Sequence, residues 1–180
     1  MNRPTLIATV ALALAMALPA AASPAFDGFK AVCGDTHMDF AAVKSAADAG
    51  HWAPTEVQSS TMEGVAVVES LARTVVAGGA KLTLFAWHGT KGAVQVSACT
   101  VRVSPGKFTD LSHDAGAWAG FAPQVASANK SVWQFTETAG AIKAVQKTEY
   151  NAAAAAGGLE FFTVTGVGPE AILDLLKIKS

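Results

Sequence analysis

Apolar and polar residues alternate most regularly in the middle of this chain. Over Lys81–Trp87, Leu82, Leu84 and Ala86 alternate with Thr83, Phe85 and Trp87, the period-two pattern of a strand with two distinct faces. Gly78-Gly79 turns the chain into it from a β-branched stretch, Val65–Val76, whose second half (Arg73-Thr74-Val75-Val76) reads as extended. His88-Gly89-Thr90-Lys91-Gly92 reads as the next turn. Ala93–Val103 follows as a third strand, with Val94, Val96 and Ala98 on one face. Further strands are predicted at Val132–Thr136 and Leu159–Thr165.

Two stretches carry the helical period instead. In Asp35–Gly50, Phe40, Val43 and Ala47 share a face, Thr36 offers a cap with Asp39 three residues on, and Gly50 is a natural stop. In Lys107–Phe121 the apolar stripe is Phe108, Leu111, Ala115, Trp118 and Ala119. Pro24–Val32 reads as a short lead-in and 55–64 as loop. Residues 141–156 fit either helix or extended chain. Ala171–Lys179 fits a helix after Pro169 or a last strand, and the strand is the favoured reading. The predicted fold class is therefore α+β: an antiparallel meander packed against about two α-helices, in a single domain over 23–180.

Residues 1–22 read as a secretory signal peptide. Arg3 gives a positive start, an apolar run follows to Leu18, and Ala20-Ala21-Ala22 is a small-residue site predicting cleavage between Ala22 and Ser23. The run is short of the roughly 20 apolar residues that a membrane span needs, so no span is expected after cleavage. A periplasmic or secreted protein is the result. In an oxidising compartment an even cysteine pair is most simply a bond, here Cys33–Cys99, with a chain-entropy contribution of roughly 4 kcal/mol.

Charge and composition exclude more than they assign. With 13 Lys+Arg against 14 Asp+Glu, the net charge of -1 gives no basic face for nucleic acid. With only 15% charged and 51% hydrophobic residues, disorder is excluded too. His37, His51, His88 and His113 show no zinc spacing, and no cofactor motif is present. Asp35, His37 and Asp39 form a local D-x-H-x-D cluster, read first as helix capping and second as a weak metal or acid/base site. Ser112-His113-Asp114 has triad residue types, but consecutive positions cannot align a relay. Of the four tryptophans, Trp52, Trp87, Trp118 and Trp133, the pair Trp87-His88 is the best candidate for an exposed aromatic site.

Phe29-Lys-Ala-Val-Cys33, Asp39-Phe-Ala-Ala-Val43, Ala46-Ala-Asp-Ala-Gly50-His-Trp52 and Ala98-Cys99-Thr100 together resemble a group of uncharacterised secreted proteins of Gram-negative bacteria. The resemblance implies a periplasmic address and a Cys33–Cys99 bond, and carries no activity. His51 departs from it, standing between the glycine and the tryptophan. The expected function is a non-enzymatic domain binding an unknown protein or small molecule. Two alternatives are a metal-dependent or hydrolytic enzyme using Asp35, His37 and Asp39, and an inhibitor of a cell-wall hydrolase.

Overall fold

The computed structural model describes residues 22–56 and 63–180. Apart from Ala22, the expected signal peptide lies outside the described residues, as do 57–62 of the expected loop.

The expected lead-in is a helix, α1 (Pro24–Phe29). Ser23 caps it, its hydroxyl accepting from the Phe26 N–H at 3.3 Å, and Pro24 occupies the first turn, where a missing donor costs nothing. Six residues are too few to show a helical stripe in the sequence, yet Phe26 and Phe29 are both buried. The helix then widens into one π turn, Lys30–Gly34, which carries Cys33.

α2 begins at Phe40 rather than Asp35 and runs to Ala49. Asp39 is its cap, accepting from the Ala42 N–H at 2.9 Å, while Thr36 turns back and donates to the Val32 carbonyl at 2.8 Å. Val43 and Ala47 are buried as their spacing predicts.

The strands are β1 (Ala53–Pro54), β2 (Ala66–Ala77), β3 (Ala80–Lys91), β4 (Val94–Ser104), β5 (Val125–Ala126), β6 (Lys130–Thr138), β7 (Ala141–Ala144), β8 (Leu159–Val167) and β9 (Glu170–Lys179). α3 (Phe108–Ala119) lies where the second helix is predicted. β3 continues through His88, so the predicted turn at 88–92 shrinks to its last glycine and the residue after it. The ambiguous stretch 141–156 divides into β7, a 3₁₀ turn (Lys147–Glu149) and α4 (Tyr150–Ala156).

All pairings are antiparallel, in the order β1-β2-β3-β4-β9-β8-β6-β5, with β7 on β6. β9 thus joins the two halves of the sheet, pairing with β4 on one side and β8 on the other. The described residues form four α-helices where about two were expected. α1, α2 and α3 contribute to one apolar core on one face. α4 packs Ala153, Ala154 and Tyr150 against Leu159 and Phe161, which point to the opposite face. None of the described helices is long and apolar enough to cross a membrane.

Register arranges the helix-covered face in rows. One row runs Leu71, Ala86, Cys99, Leu175, Phe162, Trp133 from β2 to β6, and every member is buried. Phe162 is its centre: Phe29 stacks on it with centroids 5.0 Å apart, and Trp118 meets it edge-on at 5.3 Å. Cys99 bonds upward to Cys33, closing a separation of 66 positions and tying the π turn to a central strand.

Candidate functional site

Two residues along each strand, the residue type changes. The next row reads Glu69, His88, Ser97, Lys177, Glu160 and Phe135, with Glu137 two positions further along β6. A strand directs alternate side chains to one face whatever their chemistry, so these polar groups lie on the helix-covered side. Glu160 is 1% exposed. Lys177 Nζ lies 2.9 Å from its Oε1, off the hydrogen-bonding direction, so the contact is an ion pair more than a directed bond. Burial pushes the Glu160 carboxyl above the ordinary range, against the opposing pull of the Lys177 ammonium. The charges of Glu137 and His37 also reach it.

Gly158 makes room for this lysine. Its φ is +130°, and a Cβ there would lie 2.8 Å from Lys177 Cε.

The loop after Cys33 delivers a histidine to the same end of the sheet. His37 and Met38 both take left-handed backbone, with φ of 52° and 57°, at a cost of roughly 1–2 kcal/mol each for L-residues. Met38 is buried in the main core and anchors the loop. His37 is thereby turned outward, with Nδ1 3.0 Å from Glu137 Oε2; its side chain is 56% exposed and that of Glu137 12%. Lys30 and Asp35 pair at 3.3 Å beside it. Together with Trp118 and Ile142, these residues line an open groove of about 460 Å³.

The structure separates the D-x-H-x-D cluster. Asp35 faces Lys30, Asp39 caps α2, and only His37 crosses to Glu137. No group of three His, Cys, Asp or Glu side chains placed to hold a metal occurs among the described residues. Ser112, His113 and Asp114 also part: Ser112 Oγ lies 2.8 Å from Ser131 Oγ, and Asp114 accepts from Ser23. The Trp87-His88 pair is not an exposed aromatic site, because adjacent strand residues face opposite ways. Trp87 is 4% exposed, packed near Val96 and Ala98, while His88 meets Phe40 at 5.0 Å and Glu69 at 3.2 Å.

Sequence reasoning missed Glu137, Glu160 and Lys177. A signal was present for two of them: Glu160 is in phase with Phe162 and Val164, and Lys177 with Leu173 and Leu175. A charged residue at an inward strand position calls for a partner.

Set against known protein families, curated proteins and solved structures, the chain matches none of them.

Proposed function

We propose that this chain is an exported binding domain, freed from its leader between Ala22 and Ser23, that takes a small amine-bearing ligand in the groove between the His37 loop and β6. The disulfide supports an oxidising compartment, as does the resemblance to secreted bacterial proteins. The observation that carries the binding reading is the His37–Glu137 contact. A largely covered carboxylate is met by an exposed imidazole on a strained loop, an exchangeable partner for a stronger cation. Trp118 and Ile142 offer the apolar surface beside it.

Hydrolytic chemistry has less support. Among the described residues, the groove lining holds no hydroxyl or thiol nucleophile. Burial raises the Glu160 carboxyl, but at 1% exposure it cannot reach a substrate to give it a proton.

The test uses phenethylamine, a primary amine with one apolar ring, titrated into protein purified from a periplasm. A saturable change in tryptophan fluorescence is expected, lost in Trp118→Phe and in Glu137→Gln. Absence of saturation would overturn the ligand class. Turnover of an ester or amide substrate that disappears in a single-residue variant would overturn the binding reading itself.

A further inference from the structure

Where the folded body begins, a carboxylate from far along the chain meets it. Ser23 donates twice to Asp114 Oδ2, through its N–H at 3.0 Å and its hydroxyl at 2.8 Å, across 91 positions. Asp114 lies on α3 with its side chain only 13% exposed. Its other oxygen has His113 Nδ1 at 3.8 Å, beyond hydrogen-bonding distance, and that histidine is 77% exposed. Lys107, Asp110 and Ser23 line a neighbouring hollow at the same end of α3. An amide and a hydroxyl are neutral donors, so among the described residues this mostly covered carboxylate has no close cationic partner.

A charged donor in place of that amide would make the site complete, since charge-assisted hydrogen bonds are shorter and about twice as strong as neutral ones. We propose that Asp114 is the receptor for the chain's own α-ammonium, created at Ser23 when the leader is removed. Water adds across the Ala22–Ser23 peptide bond in the active site of a signal-peptidase-class endopeptidase. Ala22 departs with a new carboxylate, and Ser23 keeps the nitrogen, which takes up a proton. Processing thereby installs an ion pair between the start of α1 and α3, and the released end is held against the body instead of trailing from it. This inference rests on the export reading given above.

The experiment uses the full chain, exported and processed in a periplasm. Its intact mass shows whether the protein starts at Ser23. Periodate then probes the site, because it oxidises an N-terminal serine only where the free amine and hydroxyl adjoin, the two groups Asp114 holds. Oxidation is expected to be about tenfold faster in Asp114→Asn than in the parent, the equivalent of one lost charge-assisted bond. Selective acetylation of the α-amine and Asp114→Asn are each expected to lower Tm, and together to lower it no further than either alone. Asparagine preserves the shape and one acceptor, so the variant is expected to fold.

A mass that keeps the leader would overturn the export reading and this inference with it, and a processed mass starting at another residue would overturn the cleavage site and the inference. A mass starting at Ser23, with oxidation rate and Tm indifferent to Asp114→Asn, would overturn the inference alone.

Discussion

Two adjacent rows on one face of the sheet contrast more sharply than any two domains could. The row through Cys99 and Phe162 is wholly apolar and buried. The row beside it, two residues along each strand, carries Glu69, His88, Ser97, Lys177 and Glu160. Backbone pairing continues across both without interruption, so strand geometry does not separate them. Residue type alone does, and it assigns stability to one row and polar chemistry to the other. The disulfide stands on the boundary: Cys33 is fixed over the apolar row, and four residues later His37 reaches the polar end.

The largest expected effect breaks the apolar row. Phe162→Ala removes the ring on which Phe29, Trp118 and Trp133 converge, and a loss of about 4 kcal/mol is expected in urea unfolding.

Next comes the polar row. Lys177→Met leaves Glu160 buried without its cation, at a cost of about 3 kcal/mol at neutral pH, and Glu160→Gln in the same chain is expected to restore most of it. The pH dependence gives the sign. In the pH window between the unfolded value of 4.5 and its raised folded-state pKa, Glu160 holds a proton in the native state that the unfolded chain has already released. Its contribution to stability therefore falls as pH rises through that window and is flat below it. Glu160→Gln is expected to remove this fall, and the Lys177→Met penalty is expected to shrink toward acid, both read from unfolding curves across pH.

The smallest effect is the most diagnostic. His37→Gly relaxes one left-handed residue and is expected to raise stability by about 1 kcal/mol, even though the contact with Glu137 is lost. A stability gain accompanied by tighter amine binding would mark His37 as the partner that the ligand displaces from Glu137 rather than as a support of the fold.

Much of the sheet was legible because alternation is a local property. Leu82, Leu84 and Ala86 are all core residues, and the favoured strand at Ala171–Lys179 is β9. The helix layer was harder to read. α1 is too short for its period to repeat, and between Cys33 and Phe40 two residue types competed for one cap. Thr36 and Asp39 both qualify by sequence; the left-handed turn at His37 and Met38 leaves only Asp39 at the start of α2. Of the site, His37 was visible and its partner was not, because Glu137 stands 100 positions away in an unremarkable strand. Trp87 misled because a glycine-rich tail made the end of β3 resemble a turn.

The position of β9 also bears on timing. It is made after every other strand of the sheet, yet it is the piece that fits between β4 and β8. Until it arrives, 53–104 and 125–167 are two separate fragments of sheet, with no strand pairing between them among the described residues. A ribosome that has not yet made β9 holds a polypeptide whose sheet cannot close. Under the export proposed above, that delay would keep the chain open for threading, a clock written into strand order.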